Sequence, residues 1–168
     1  MRYDPVWRLE SPRNAERHLR SHERENILVD PTAVAAACFC LRLRTDLTNL
    51  LNSSQLVGPG SLSSDWTRLL SHMHQSKLIS LKAARACICL LESLPIRTVP
   101  IRPDRIFERV RHTDLDARTA TYLEAAKETR AAVLTMDTKT IAACRRSHIP
   151  RFIYNGPHQY AWKIGRGR

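Results

Sequence analysis

The sequence predicts an α/β protein, a three-layer αβα sandwich with a central, mainly parallel sheet and an N-terminal extension. Four short apolar or β-branched runs, 27–29, 96–101, 132–135 and 152–154, have the composition of buried strands. Segments with helical start signals lie between them. Strands that alternate with helices of about 10 to 15 residues form a parallel sheet with helices on both faces.

Helix signals fill the spaces between these strands. Pro31 suits the first position of a helix, and Ser80 and Thr113 suit N-caps. The stretch 52–64 contains a Gly-Pro-Gly triplet and is predicted to be a loop. The predicted helices cover residues 31–43, 64–73, 80–94, 103–111, 113–129 and 138–147, and residues 46–51 suggest a further helical piece.

Length and composition indicate one principal domain. The 168 residues are 43% hydrophobic and 26% charged, as in folded globular proteins. The longest apolar run, 32–41, is too short for a bilayer span of about 20 residues, so we expect no membrane partner. We expect a charged, partly helical extension over 1–26, a domain over 27–154 and a basic, aromatic tail over 155–168.

The charge favours a polyanionic partner. The chain has 27 Lys and Arg residues against 16 Asp and Glu residues, a net charge of +11. From residue 138 to the end there are seven basic residues and no acidic one, interleaved with aromatic side chains. This mixture is typical of surfaces that bind single-stranded nucleic acid. A solvated tail whose aromatic residues dock on the domain is an equally open interpretation.

The five cysteines do not predict a metal site. Two pairs, at 38 and 40 and at 87 and 89, fall on predicted helices, where residues two apart point in nearly opposite directions. With no signal-peptide pattern at the N-terminus, we expect a cytoplasmic protein with reduced thiols.

Two predicted strands end in an aspartate. Asp30 follows the strand at 27–29, and Asp137 follows the strand at 132–135. The carboxyl ends of parallel strands form the functional edge of such a sheet. Carboxylates gathered there would suit Mg²⁺ or Mn²⁺, which can activate water against a phosphodiester. The alternative is that each aspartate only caps the helix that follows it.

Three segments follow one another in the order Ile27-Leu28-Val29-Asp30-Pro31-Thr32, then residues 115–126 with Tyr122-Leu123-Glu124-Ala125-Ala126, then Val133-Leu134-Thr135-Met136-Asp137. Together they resemble the PIN domain, and within it the VapC-type ribonuclease toxins of bacterial toxin–antitoxin pairs. The resemblance covers about residues 27–154. It implies a metal-dependent endoribonuclease with about four acids around one or two Mg²⁺ ions.

The resemblance implies roles for particular residues. Asp30 and Asp137 match two of the acids, and Thr32 matches a hydroxyl that supports the first. Thr119 stands where the family has an aspartate, and Asp116, three residues earlier, is a candidate substitute in catalysis and metal binding. Asp116 has an alternative role in capping its helix.

Basic residues stand where the resemblance expects the remaining acid, a glutamate of the middle helix. Lys82 and Arg85 there would compete with Mg²⁺ for the carboxylates and favour a phosphate backbone, unless they simply face solvent. The candidate RNA-binding residues are Lys82, Arg85, Arg145, Arg146, Arg151, Lys163, Arg166 and Arg168.

Three functions remain open from the sequence. The first is an active Mg²⁺- or Mn²⁺-dependent endoribonuclease, with RNA as substrate and an antitoxin-like protein as partner. The second is a degenerate PIN domain that binds RNA or serves as a subunit of a larger ribonucleoprotein assembly. The third is a protein-interaction subunit with an acidic partner. A homodimer is compatible with each, and we expect binding to RNA more than cleavage of it.

Overall fold

The structure, a computed structural model, describes residues 7–10, 26–39, 45, 49–50 and 54–154. The helices and strands are, in chain order, β1 (Trp7–Glu10), β2 (Asn26–Val29), α1 (Pro31–Phe39), β3 (Gln55–Pro59), α2 (Leu62–Gln75), α3 (Leu81–Ser93), β4 (Arg97–Val99), α4 (Pro103–His112), α5 (Ala117–Thr129), β5 (Ala132–Leu134), α6 (Thr138–Arg146) and β6 (Arg151–Tyr154).

The strands form one sheet in the order β1-β6-β5-β2-β3-β4. Five strands, from β6 to β4, run parallel, and β1 pairs antiparallel with β6 at the edge. In the centre, Ile27 of β2 lies opposite Leu56 of β3 and Ala132 of β5. The predicted fold class, a three-layer sandwich with a mainly parallel sheet, is confirmed.

The helices cover the sheet in two groups. Helices α1, α2 and α3 contact one another, and α5 contacts both α4 and α6. Strand β2 lies between these layers, and Ile27, Leu28 and Val29 are at most 1% exposed. Full burial of such a side chain stabilises the fold by about 1.5 to 3 kcal/mol. The continuous aliphatic run in β2 is therefore explained by its burial on both faces.

The predicted loop at 52–64 is wrong, because residues Gln55–Pro59 form β3 between β2 and β4. The turn residues that suggested a loop allow a tight passage from β3 into α2. A Cβ atom on Gly58 would lie 2.6 Å from Leu62 Cδ2, so a larger residue at this position would require the Leu62 side chain to shift. Helix α2 begins at Leu62, after Ser61, rather than near Ser64.

The start of α5 also differs from the prediction. Thr113 was expected to cap this helix, but it ends α4, where its hydroxyl donates to the Arg109 carbonyl oxygen at 2.6 Å. Helix α5 begins at Ala117, and its N-cap is Asp116. The N-caps predicted for α3 at Ser80 and for α6 at Asp137 match the structure.

The N-terminal extension contributes β1 to the sheet. The helix expected before residue 26, most of the helical piece at 46–51 and the tail at 155–168 lie outside the described residues. Within the described part of the chain, every helix is too short or too polar to cross a membrane.

Candidate functional site

Asp30 lies at the carboxyl end of the central strand. Its backbone N–H donates to the Leu134 carbonyl oxygen at 3.0 Å, which continues the pairing of β2 with β5 by one residue. The side chain is fully buried. A buried carboxylate needs hydrogen-bond donors or a cation around it, and the surrounding elements supply both.

Thr32 supplies two of the contacts to Asp30. Its backbone N–H donates to Asp30 Oδ1 at 2.8 Å, and its hydroxyl donates to the same oxygen. The Thr32 hydroxyl also accepts the Met136 N–H at 2.9 Å. Thr32 therefore links the ends of β2 and β5, and it touches Asp30 as the sequence predicted.

Arg118 supplies the cation. Its Nη2 donates to Asp30 Oδ2 at 2.6 Å. The guanidinium carbon lies 5.0 Å from the centre of the Tyr122 ring, one turn further along α5, so the arginine also makes a cation–π contact. The Arg118 side chain is 27% exposed, and its cationic end is held against the sheet edge.

Asp65 is a second carboxylate beside Arg118. It lies in the first turn of α2 and is 7% exposed. Its Oδ1 is 3.9 Å from Arg118 Nε and also accepts from Arg68, whose side chain is 68% exposed. Its Oδ2 accepts from the Ser61 hydroxyl at 3.1 Å. Arg118 therefore lies between a carboxylate from β2 and a carboxylate from α2.

Burial and charge act against each other in this site. Burial raises the pKa of Asp30, although Arg118 and the Thr32 hydrogen bonds oppose that rise. Partial burial disfavours a charged Arg118, yet the neighbouring Asp30 carboxylate and the charges near it raise its pKa above the ordinary value. Burial, as the largest cause, and the charges of Asp30 and Asp65 raise the pKa of Tyr122. For Asp30 the effect of burial is the larger, so its pKa is raised in spite of the ion pair, whereas Arg118 is stabilised as a cation by its acidic neighbours.

The other two predicted acids cap helices. Asp137 Oδ2 accepts from the Thr140 N–H at 3.0 Å and from the Thr140 hydroxyl at 2.6 Å, at the start of α6. Asp116 Oδ1 accepts from the Thr119 N–H at 2.8 Å, at the start of α5. Asp137 is near enough to Asp30 to raise its pKa, so these two strand-end acids share one edge of the sheet.

This arrangement does not suit a Mg²⁺ ion. Asp30 faces Thr32 with one oxygen and Arg118 with the other. In the described ranges, no three carboxyl, imidazole or thiol side chains lie so that they could hold one metal ion. Mg²⁺ or Mn²⁺ binding by Asp30, Asp116 and Asp137 stays a prediction.

The predicted RNA-binding residues lie in different surroundings. Lys82 and Arg85 are exposed on α3, and Arg145 and Arg146 are exposed at the end of α6. Arg151 is buried and pairs with Glu10 of β1. Three further candidates, Lys163, Arg166 and Arg168, lie outside the described residues.

Sequence reasoning missed Asp65 and Arg118. The turn residues in 52–64 predict a loop in place of β3, and without β3 the sequence does not indicate that the first turn of α2, with Asp65, lies at the carboxyl edge of the sheet. Arg118 lies one residue before Thr119, in the helical segment that resembles the PIN domain. The available signal was a cation in the first turn of a helix, where the helix dipole disfavours it and an acidic partner is needed.

Neither a protein-family model nor a curated protein matches this chain.

Proposed function

We propose that this protein is a PIN-like RNA-binding domain, descended from Mg²⁺-dependent endoribonucleases, that binds the RNA backbone by charge. The observation that carries the proposal is the net charge of +11 together with exposed cations on the domain. In the described part of the chain, no acidic side chain forms an ion pair with Lys82, Arg85 or Arg146. Such cations are available to phosphates.

The candidate site supports binding rather than cleavage. Asp30 and Asp137 occupy the strand ends that the PIN resemblance assigns to catalysis, but their carboxylates make contacts within the protein. A phosphate backbone is attracted by exposed lysine and arginine without needing an acidic site. Lys82, Arg85 and Arg146 are therefore retained as RNA contacts, together with Arg145, which is exposed although its Nε lies 3.9 Å from Glu10 Oε2. Buried Arg151 is not among them.

The proposal includes a reducing, cytoplasmic setting and a place in a ribonucleoprotein assembly. Cys89 and Cys144 are free thiols, and Cys144 is buried, where burial and then the charge of Asp30 raise its pKa to about 12. A thiol with so high a pKa is an unreactive core residue rather than a nucleophile.

Binding of a fluorescent single-stranded RNA to the full chain tests the proposal. We expect the affinity to fall steeply between about 50 and 200 mM salt, because bound phosphates release counterions. Lys82→Glu/Arg85→Glu should weaken binding. The matched control is Arg105→Glu/Lys127→Glu, which makes the same charge change at exposed positions of α4 and α5. Equal losses in both variants, or no RNA binding by the wild type, would contradict the proposal.

A second candidate function is an active endoribonuclease of a toxin–antitoxin pair, with an antitoxin-like partner. The contact of Thr32 with Asp30, at the end of the central strand, favours this candidate. It requires RNA cleavage that depends on Mg²⁺ or Mn²⁺ and is lost in Asp30→Asn. RNA binding without cleavage would leave the binding function, whereas selective binding of an acidic protein in place of RNA would indicate an interaction subunit.

A further inference from the structure

The carboxyl edge of the sheet contains a charged cluster that is complete without any added ion. Asp30 is fully buried, Asp65 is 7% exposed, and the Arg118 guanidinium lies between them. Arg68 covers the outer side of Asp65 from the surface. Within this cluster two carboxylates face two guanidinium groups, so their formal charges cancel.

Arg118 lies at a helix position that is electrostatically unfavourable for an arginine. It lies in the first turn of α5, where the helix dipole is positive and disfavours a cation. The Asp30 contact at 2.6 Å and the aromatic face of Tyr122 at 5.0 Å compensate for that position. Arg118 is therefore held in the first turn of α5 by its contacts with Asp30 and Tyr122, and not by a favourable interaction with the helix itself.

We propose that the Arg118 guanidinium occupies this cluster as a built-in cation, in the place that a divalent metal ion would otherwise take. The guanidinium joins the end of β2 to the start of α2, and it packs over the Tyr122 ring. A divalent cation near Asp30 would meet both the repulsion of Arg118 and a carboxylate whose oxygens already have donors. The wild-type cluster is therefore closed to Mg²⁺ and Mn²⁺.

The proposal has a direct consequence for a variant that lacks the guanidinium. In Arg118→Gln, Asp30 and Asp65 remain as two buried carboxylates with the Thr32 hydroxyl beside them. Carboxylate and hydroxyl oxygens are the ligands that hard divalent cations prefer. We expect this variant to gain a Mn²⁺ site with a dissociation constant in the millimolar range.

Titration of the full chain with Mn²⁺ tests the inference, with free Mn²⁺ followed by electron paramagnetic resonance and thermal stability followed in parallel. The wild type should show no saturable binding and no shift of its melting temperature. Arg118→Gln should bind one Mn²⁺ per chain and be stabilised by it, and Asp30→Asn/Arg118→Gln should lose both effects. Arg68→Gln is the matched control, because it removes the other arginine on Asp65 and should leave the cluster closed.

Saturable Mn²⁺ binding by the wild type that Asp30→Asn abolishes would overturn the inference. So would a folded Arg118→Gln variant that binds no Mn²⁺. If Arg118→Gln does not fold, the wild-type and Asp30→Asn titrations decide alone, since Asp30-dependent binding overturns the proposal and no binding supports it. No RNA is present in these experiments, so their outcome is independent of the RNA-binding proposal.

Discussion

Arg118 Nη2 and Asp30 Oδ2 lie 2.6 Å apart, although 88 positions separate the two residues in the chain. The contact joins the first turn of α5 to the end of β2. Since Asp30 is fully buried, this pair sets how the acidic cluster responds to mutation.

The first prediction concerns the strength of this ion pair. Arg118→Met should lower the free energy of unfolding by about 3 kcal/mol, because it leaves the fully buried Asp30 carboxyl without its guanidinium partner. The estimate is at the low end of the usual range since Arg118 is 27% exposed. Chemical denaturation of Arg118→Met, Asp30→Asn and the double variant measures the coupling. Strictly additive losses would show that the two side chains do not stabilise each other.

The second prediction concerns stability at alkaline pH. Burial and the nearby carboxylates raise the pKa of Tyr122, whereas an unfolded tyrosine ionises near pH 10. The folded state therefore keeps a proton that the unfolded state releases. The resulting stability is complete below about pH 10 and declines above it by up to about 1.4 kcal/mol per pH unit.

Tyr122→Phe removes this ionisable group and should reduce the alkaline loss of stability. Unfolding of the wild type and the variant between neutral and alkaline pH measures the effect. Parallel stability curves for the two proteins would contradict the raised pKa.

The third prediction concerns the passage from β3 to α2. Gly58→Ala should destabilise the fold by about 1 kcal/mol, because the added Cβ would lie 2.6 Å from Leu62 Cδ2 and 3.3 Å from Ile96 Cγ2, and both side chains must shift to make room. Gly60→Ala is the matched control, since a Cβ there meets nothing within 4 Å. We expect Gly60→Ala to be neutral or slightly stabilising. Thermal unfolding that ranked the two variants in the opposite order would disprove this account of the strand.

The fourth prediction separates helix capping from metal binding at the strand-end acids. Asp116→Ala and Asp137→Ala should each cost about 1 kcal/mol of stability, because each removes an N-cap acceptor. Asp116→Asn and Asp137→Asn keep a side-chain oxygen and should retain most of it. Denaturant unfolding with and without Mg²⁺ measures both effects. A Mg²⁺-dependent stability that the asparagine variants lose would show that these acids bind the ion.

The sequence predicts much of the fold because its signals are local. The aliphatic run of β2, the proline that starts α1 and the serine that caps α3 each act within a few residues. β3 was not predicted because it ends in Gly58 and Pro59, which are typical of turns. The close approach of Leu62 at the start of α2 explains the glycine, and this contact is not visible in the sequence.

The candidate site was only partly predictable. Asp30, Thr32 and Asp137 follow strands with clear patterns, so their common edge of the sheet could be foreseen. The pairing of Arg118 with Asp30 and Asp65 depends on how α5 and α2 pack against the sheet. No short-range pattern in the chain encodes which arginine reaches which carboxylate.

The pairing of β1 with β6 has a consequence for any shortened form of the chain. Trp7–Glu10 covers the outer backbone donors and acceptors of β6, and Glu10 also pairs with buried Arg151. Removal of the first ten residues would leave β6 as an unpaired edge strand and would leave Arg151 without its carboxylate partner. An unpaired edge strand can bind a strand from a neighbouring molecule, so a truncated protein is expected to self-associate more strongly than the intact one.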